Sequence, residues 1–333
     1  FATTWSESQP DKGAVVIEIA EGVSHVVCEK LRIKGAMIGV SAPKSRTGAL
    51  REGLVFRDVD VSYCRHGFYL SDCKDLLIER CDLKRYTKHA FRLEEGCESA
   101  LFKDCTADCS EGDTAWEETR TELLPFGFLI NDKGTPNSRI RFESCLARNH
   151  MMPLQTNRYK NGDGFVVEAG ASEVSFDSCR AIRNQDGGFD VKARNTLFTN
   201  CVGVGNSRTF RLWNGGTLRN CIAGWANVGL WSNGGAVTME RCTFHQLAET
   251  AVMLDDDASG PVTLFSCLIS ECSSSHKSEK PGMVVLKDTL TSSDAGFIRA
   301  AADWDGTGDA MNSTSHPEHG YRNAGTSLRL KKP

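Results

Sequence analysis

The sequence predicts an all-β fold, a right-handed parallel β-helix (solenoid) of about ten stacked coils with an internal Cys ladder. Three observations predict it. Short apolar runs recur along the chain and end at Gly, Asn or Asp, no stretch has helical periodicity, and a Cys returns at one position of each repeat. Such short strands cannot bury a face alone, so they must stack on the strands of neighbouring repeats.

The repeat has two parts. Its first part is a short apolar run, usually beside Gly, and it occurs as HGFYL (66–70), HAFRL (89–93), FGFLI (126–130), DGFVV (163–167), GGFDV (187–191), TFRLW (209–213), VGLWS (228–232) and AVMLD (251–255). Its second part surrounds a Cys, at Cys81, Cys105, Cys145, Cys179, Cys201, Cys221, Cys242 and Cys267. The period is about twenty residues, with two enlarged coils.

We expect the eight recurring cysteines to stack inside the solenoid as small apolar side chains, about 4.8 Å apart. Parallel, stacked Cβ vectors do not readily give disulfide geometry, and the spacing matches no zinc site. Disulfides are the alternative. Cys73 and Cys97 predict a second, shorter ladder of the same kind.

Residues 1–290 are predicted to form this single β-helix domain, and residues 291–333 an irregular tail that packs on it. Two loops are inserted, at 109–125 and 149–162. Long insertions in a solenoid are tolerated as loops, and such loops commonly build the wall of a binding site. The side chains that we expect in this wall are Trp116, Glu117, His150, Arg158, Tyr159 and Lys160. Capping of the solenoid or contacts between copies are the alternatives.

Composition narrows the classes of function. The chain has 333 residues, of which 40% are hydrophobic, and its net charge is −4. These values predict a large core and argue against disorder, and the balance of charges gives no overall field for nucleic acid or an anionic membrane. No apolar run approaches the roughly 18 residues that a membrane span needs. We therefore expect a monomer without a nucleic-acid or membrane partner.

Alternation along the first strand of each coil separates an inner from an outer side. One parity is apolar and must face the core, as Phe165 and Phe189 do. The other parity is predicted to face solvent, and it consists of Tyr69, Ser71, Arg92, Glu94, Leu129, Asn131, Val166, Glu168, Asp190, Lys192, Arg211, Trp213, Trp231, Asn233, Met253 and Asp255. Three consecutive coils thus place Trp213 and Trp231 beside charged groups.

Trp213 and Trp231 predict a carbohydrate platform, because exposed aromatic faces stack on sugar rings and an exposed apolar patch usually marks a binding site. The alternative is that the C-terminal segment covers both rings.

Carboxylates gather at the turn before the platform strand, at Asp163, Asp186 and Asp190. Asp163 and Asp186 lie one period apart, so we expect them on adjacent coils about 5 Å apart. Ordinary Asp chemistry in a Gly-rich turn is the alternative.

Residues 50–290 resemble the pectate-lyase-like β-helix superfamily of carbohydrate-active enzymes. NGDGF (161–165) followed by NQDGGFDVKA (184–193) is similar to the paired Asp motifs of polygalacturonases, with Gly187 where that family has a second Asp. NGDGFV is also similar to a Gly-Asn-Gly-Phe-Lys segment of family 9 pectate lyases, with Val166 in the place of their catalytic Lys. The resemblance implies an enzyme that acts on an acidic polysaccharide or oligosaccharide.

A polysaccharide lyase needs a cation beside the uronate carboxylate, a base for the C5 proton and an acid for the leaving oxygen. Arg211 or Arg92 can supply the cation, and the base candidates are Lys192, His150 and Tyr159. Arg158, Lys160 and Trp116 are further candidates for substrate binding. We favour a lyase because cations are concentrated beside the predicted platform.

Two other functions stay open. A glycoside hydrolase needs two carboxylates, for which Asp163, Asp186, Asp190 and Glu168 are available. A non-catalytic glycan-binding β-helix needs only the platform. The three Asp also offer a site for calcium, the only cofactor that the sequence suggests. We expect a secreted or periplasmic protein, because the inferred substrate is a polymer.

Overall fold

The computed structural model describes residues 3, 5, 6, 9, 11–109, 125–151 and 161–291. Every named element in these residues is a β-strand, and the strands pair in parallel with their equivalents one coil away. The chain winds through about 11 coils, which confirms the predicted parallel solenoid. The described residues contain no helix suited to crossing a membrane.

The pairings define three sheets that run the length of the solenoid. The first sheet contains β1 (Val15–Glu18), β2 (Val27–Ala42), β4 (Val55–Leu70), β6 (Asp82–Leu93), β9 (Phe126–Ile130), β12 (Asp163–Val167), β15 (Gly187–Val191), β18 (Arg208–Arg219), β20 (Val228–Glu240), β22 (Thr250–Leu254) and β25 (His276–Lys277). The long strands among them, β2, β4, β6, β18 and β20, bend at the corners and continue into the neighbouring sheets.

The other two sheets consist of shorter strands. The second sheet contains β3 (Arg51–Glu52), β5 (Cys73–Glu79), β7 (Glu98–Lys103), β10 (Ser138–Glu143), β13 (Ser172–Asp177), β16 (Leu197–Thr199), β23 (Val262–Phe265) and β26 (Val284–Lys287). The third contains β8 (Thr106–Asp108), β11 (Leu146–Arg148), β14 (Arg180–Ile182), β17 (Val202–Val204), β19 (Ile222–Gly224), β21 (Thr243–His245), β24 (Leu268–Ser270) and β27 (Leu290–Thr291).

Two stacks of phenylalanine fill the interior. The stack from the first sheet has ring centroids 4.7–5.3 Å apart and consists of Phe68, Phe91, Phe128, Phe165, Phe189 and Phe210. The stack from the second sheet has centroids 4.8–5.0 Å apart and consists of Phe102, Phe142, Phe176 and Phe198. Rings of the two stacks meet edge to face, an arrangement that aromatic quadrupoles favour. The inward parity of the first stack is as predicted.

The predicted Cys ladder is confirmed. Its eight members are at most 1% exposed. The Cys179 thiol, for example, donates to the carbonyl oxygens of Phe142 and Asp177, both at 3.4 Å. Burial raises the pKa of Cys179 well above its ordinary value, and all 14 cysteines are free thiols. Cys73 and Cys97 form the second, shorter ladder in the same way.

The corner before each ladder Cys has left-handed backbone. The residue that precedes the Cys has a φ of 49–55° in every coil, and these residues are Arg80, Asp104, Ser144, Ser178, Asn200, Asn220, Arg241 and Ser266. Asp and Asn tolerate this conformation better than most residues, because their short polar side chains bond locally. The repeated corner turns the chain from the second sheet into the third and keeps the coils in register.

A buried polar ladder fills the corner between the third and first sheets. The Tyr86 hydroxyl hydrogen-bonds His150 Nε2, and His150 Nδ1 donates to Asn184 Oδ1 at 2.7 Å. Asn184 Nδ2 donates in turn to Asn206 Oδ1 at 2.8 Å, and Asn206 Nδ2 donates to the carbonyl oxygen of Ala181 at 2.9 Å. The four side chains are at most 3% exposed, so these bonds replace the water that each polar group loses on folding.

His150 is therefore not the general base in a cleft wall that the sequence predicts, and that prediction is wrong. Its side chain is fully buried, both ring nitrogens have partners, and burial lowers its pKa to about 4. The same ladder explains why the repeat carries Gly. A Cβ on Gly164 would lie 2.9 Å from Asn184 Nδ2, and a Cβ on Gly188 would lie 2.9 Å from Asn206 Nδ2.

Candidate active site on the outer side of the first sheet

Four neighbouring strands of the first sheet bear the candidate site on their outer side. Backbone pairing aligns one residue from each of β12, β15, β18 and β20 in an outer row, namely Val166, Asp190, Arg211 and Trp231. Two positions further along the chain, and so on the same side, come Glu168, Lys192 and Trp213. On the inner side, stacked Phe side chains underlie β12, β15 and β18, and Leu230 takes the equivalent position on β20.

Three carboxyl groups, those of Asp163, Asp186 and Asp190, converge around Gly187 at the start of β15. The Gly187 N–H donates to Asp163 Oδ1. A Cβ at Gly187 would lie 2.8 Å from that oxygen and 3.3 Å from Asp190 Cβ, so only Gly leaves room for this arrangement. As predicted, Asp163 and Asp186 lie on adjacent coils, although Asp163 is level with Gly187 and not with Asp186.

Two guanidinium groups bind these carboxylates. Arg208 Nη1 donates to Asp186 Oδ1 at 2.7 Å. Arg211 Nη1 lies 3.3 Å from Asp186 Oδ2 and 3.5 Å from Asp190 Oδ2. The indole N–H of Trp213 donates to the other oxygen of Asp190 at 2.6 Å. Asp190 is thus held in place by a cation on one side and a neutral donor on the other.

The carboxyl groups differ in how readily they hold a proton. Burial, together with repulsion from Asp190 and Asp186, raises the pKa of Asp163 well above its ordinary value. Burial also raises the pKa of Asp190, against the opposing attraction of Arg211 and Lys192. Carboxyl groups whose pKa values are shifted by burial and by one another are typical of acid–base sites.

Lys192 is paired and does not act as the free amine that a general base requires. Its Nζ donates to Glu168 Oε2 at 2.6 Å and lies 5.8 Å from the ring centroid of Trp213. Burial lowers the pKa of Lys192, but the carboxylates of Glu168 and Asp190 outweigh burial and raise the pKa above its ordinary value. The prediction of Lys192 as the base is therefore wrong, and at neutral pH its ammonium group is a cation of the site.

Trp213 and Trp231 do not form the exposed, flat platform that the sequence predicts. Their rings meet at 64° with centroids 4.7 Å apart, and the Arg211 guanidinium lies 4.6 Å from one centroid and 5.2 Å from the other. Trp231 is only 6% exposed, so its ring does not offer the open face that stacking on a sugar requires, and this part of the prediction is wrong. Trp213 is half-buried and keeps an exposed part.

Residues 51–223 match the family model described as the right handed beta helix region. The chain belongs to this family. The match confirms the predicted right-handed parallel β-helix. A comparison with curated proteins gives no match.

Solved structures of β-helix proteins are similar over most of the chain. The A-module of mannuronan C-5 epimerase AlgE6 from Azotobacter vinelandii is 13% identical with a TM-score of 0.56, over 87% of this chain and 87% of that chain. Pectate lyase Pel9A is 14% identical with a TM-score of 0.56, over 90% and 80%. The catalytic unit of a GH87 α-1,3-glucanase from Streptomyces thermodiastaticus is 11% identical with a TM-score of 0.53, over 84% and 59%. The predicted resemblance to pectate-lyase-like β-helix proteins is confirmed, and at these identities it concerns the fold.

Arg92 lies in a different part of this β-helix. The outer row leads from Arg92 on β6 through Leu129 and Val166 to Asp190, so Arg92 is three strands, or about 14 Å, from Asp190. Arg92 is therefore too far away to act on a group bound at Asp190. Leu129 and Val166 are 5% and 2% exposed, which corrects the prediction that this whole parity faces solvent.

Five predicted residues of the cleft wall lie outside the described residues, namely Trp116, Glu117, Arg158, Tyr159 and Lys160. Arg208 is a site residue that the sequence analysis does not single out. The register offers the missing signal, because Arg208 is level with Gly187, the residue around which the carboxylates gather.

The carboxylates do not fit a calcium site. Calcium takes about six to eight oxygen ligands, several of them charged. Here Arg208 and Arg211 already bind Asp186 and Asp190, and the raised pKa of Asp163 favours its neutral form. Within residues 11–109, 125–151 and 161–291 no group of three or more His, Cys, Asp or Glu is arranged to hold a metal ion. We derive no step through a metal.

Proposed function

We propose that this protein cleaves an acidic, uronate-containing polysaccharide by β-elimination at the Asp190 cluster. The observation that supports the proposal is the placing of two cations, Arg211 and Lys192, beside Asp163 and Asp190, whose pKa values are raised. Elimination at a uronate needs a cation, a base and an acid in one place. The cluster contains a group suited to each role.

Each group has a defined task in this proposal. Arg211 and Lys192 neutralise the sugar carboxylate, which makes the C5 proton more acidic. The Asp190 carboxylate takes that proton, and its raised pKa makes it a stronger base than an ordinary Asp. The C4–O bond breaks as the C4=C5 double bond forms, and the neutral carboxyl of Asp163 supplies the proton to the leaving oxygen.

The comparisons support a uronate substrate at the level of analogy. The names of two similar structures refer to mannuronan and to pectate, which are both polymers of uronic acids. A shared fold alone does not transfer a reaction, so the proposal rests on the Asp190 cluster. A polymeric substrate also underlies our expectation that the protein is secreted or periplasmic.

Hydrolysis is the second candidate, and the carboxyl cluster itself favours it. A glycoside hydrolase needs one protonated and one ionised carboxyl group that flank the scissile bond. Asp163 suits the acid, because burial and its neighbouring carboxylates raise its pKa well above the ordinary value. Asp186 or Asp190 suits the second carboxylate. The two reactions break the same glycosidic linkage but at different C–O bonds, C4–O in elimination and C1–O in hydrolysis, so they leave different products.

The test is incubation with polygalacturonate and with alginate, in which both the ultraviolet absorbance of the double bond and the reducing ends are measured. Elimination produces both signals, whereas reducing ends without absorbance would contradict elimination and favour hydrolysis. Asp190→Asn is expected to lower the rate at least about 100-fold. Asp177→Asn, at an exposed position of the second sheet, is the matched control and should keep the rate.

A third outcome separates catalysis from binding. If neither polymer yields product and the protein still binds one of them, the glycan-binding alternative replaces the enzyme. Trp213→Ala should then abolish binding, because Trp213 is the half-buried ring of the site.

A further inference from the structure

A second polar cluster lies on the outer side of the first sheet, on β4 and β6, which are four and three strands before β15. We call it the histidine cluster, and it consists of His66, Tyr69, Lys88, His89 and Arg92. Backbone pairing places His66 level with His89, and Tyr69 level with Arg92. The proposed cleavage step uses none of these residues.

The aromatic members of the histidine cluster pack into a fixed wall. The His66 ring lies 5.0 Å from the His89 ring and meets the Tyr69 ring edge to face at 5.3 Å, measured between centroids. His89 stacks on Phe126 at 5.4 Å. His66 and His89 are 6% and 2% exposed, so their neighbours determine the positions of both imidazoles.

One nitrogen of this wall has no hydrogen-bond partner among the described residues. His66 Nδ1 is buried and makes no hydrogen bond, whereas His89 Nδ1 lies 3.4 Å from Arg92 Nη1. An unpaired polar atom in the interior destabilises the fold, because it has lost its hydrogen bonds to water. The fold therefore retains a buried hydrogen-bonding group that no described residue satisfies.

Positive charge surrounds the two imidazoles. Arg65 pairs with Asp11 and Arg92 pairs with Glu94. In the part of the chain that the structure describes, Lys88 has no carboxylate within ion-pair distance, although its side chain is half-buried. Burial lowers the pKa of Lys88, and the nearby charges of Arg65 and Arg92 lower it further, against a smaller opposing attraction from Asp11. An anion beside Lys88 would neutralise its half-buried charge.

We infer that His66, Lys88, His89 and Arg92 form an anion-binding subsite that takes a carboxylate of the acidic glycan at a sugar unit remote from the cleaved bond. The identity of this ligand rests on the proposed function. Lys88 provides the charge, Arg92 provides further donors, and His66 provides the hydrogen-bonding atom that is otherwise unpaired. The subsite lies three to four strands, or about 14–19 Å, from Asp190, so a glycan occupies both places only when it is long enough to span that distance.

Oligouronates of increasing length test the subsite. For the wild-type protein, kcat/KM is expected to rise about tenfold between oligomers too short to span the two clusters and oligomers that span them, since a charge-assisted contact contributes about 1.5–3 kcal/mol. Lys88→Gln should remove this rise and leave kcat on short oligomers unchanged. Lys103→Gln, on the second sheet, is the matched control and should keep the rise.

The outcomes separate this inference from the proposed function. A length dependence that survives Lys88→Gln overturns the subsite, while cleavage stands. If no polyuronate is cleaved, calorimetry with a long oligouronate decides. Weaker binding in Lys88→Gln and in His66→Asn, with Lys103→Gln unchanged, supports the subsite although the function has failed. Equal binding by all variants, or no binding by the wild type, overturns the subsite.

Discussion

The inner and outer sides of the first sheet use the same strands in opposite ways. On the inner side β12, β15 and β18 all present Phe, with ring centroids 4.9–5.2 Å apart. One position further along, on the outer side, the same strands present Val166, Asp190 and Arg211. The inner residues are alike from coil to coil because each ring must fit the ring below it. The outer residues are under no such constraint, so they can bear different functional groups in successive coils.

The largest effect that can test this division is a loss of stability from the inner side. Phe165 is fully buried between Phe128 and Phe189, with centroids 4.7 and 4.9 Å away. Phe165→Ala leaves a cavity and should lower the free energy of unfolding by about 4 kcal/mol, as measured by urea denaturation. Phe265→Ala, at a half-buried position of the second sheet, is the control and should cost about 1 kcal/mol or less.

The rate of polyuronate cleavage completes that test. The folded fraction of the Phe165→Ala variant should cleave at the wild-type rate, because the ring points away from the Asp190 cluster. A variant that stays folded but loses turnover would show that the two sides are coupled, and the division would fail.

Acid should also act on the inner side, through the buried ladder at the corner. Burial lowers the pKa of His150 from 6.5 to about 4, so the folded protein holds a neutral imidazole that the unfolded chain protonates. Stability from this group is complete above pH 6.5 and is lost as the pH falls towards 4, by about 3 kcal/mol in all. Urea denaturation at pH 7 and pH 4.5 measures the loss.

A His150→Gln variant isolates this contribution. Gln does not titrate, so the variant should show a weaker dependence of stability on pH between 6.5 and 4, even if it is less stable at pH 7. An unchanged slope would mean that the other buried histidines, His66, His89 and His245, account for the acid sensitivity.

Two adjacent glycines offer the sharpest comparison, since one borders the outer site and the other borders the inner ladder. In Gly187→Ala the new Cβ meets Asp163 Oδ1 at 2.8 Å, so turnover should fall about 100-fold through misplaced carboxyl groups. In Gly188→Ala it meets Asn206 Nδ2 at 2.9 Å and the Thr209 carbonyl oxygen at 2.7 Å, so stability should fall by about 1–3 kcal/mol. Initial rates and thermal unfolding of both variants test these two effects. A loss of stability in Gly187→Ala with a loss of turnover in Gly188→Ala would contradict the comparison.

The same division explains how much of the fold the sequence predicts. Cys and Phe recur at equivalent places in successive coils, as at Cys179 and Phe165, because stacking requires it. A residue type that recurs in this way is visible in a single sequence. Parity then places Asp190 and Arg211 on the outer side correctly. The pattern thus predicts the coils, the ladder and the sheet that bears the site.

Burial and pairing within the site were not predictable from the same pattern. Trp231 has the outward parity of an exposed ring, but Trp213 and Arg211 pack against it, and packing between coils leaves no period in the sequence. His150 lies in a segment with the composition of a catalytic loop. It nevertheless belongs to a buried ladder with Tyr86, Asn184 and Asn206. Different residue types fill equivalent positions there, so no repetition reveals the ladder.

The smallest effect is expected from the Cys ladder, where the side chain is small. Cys179→Ala should lower the free energy of unfolding by only about 1 kcal/mol, because little volume is removed.

Reactivity of the thiols is a sharper test of whether the ladder consists of free cysteines. Cys28 and Cys272 are half-buried and the other cysteines are buried, so a thiol reagent should label at most these two in the native protein. After unfolding without reductant, all 14 should react, as mass spectrometry can count. A smaller number would reveal disulfides, and the ladder would then be a set of cross-links and not the inner counterpart of the variable outer side.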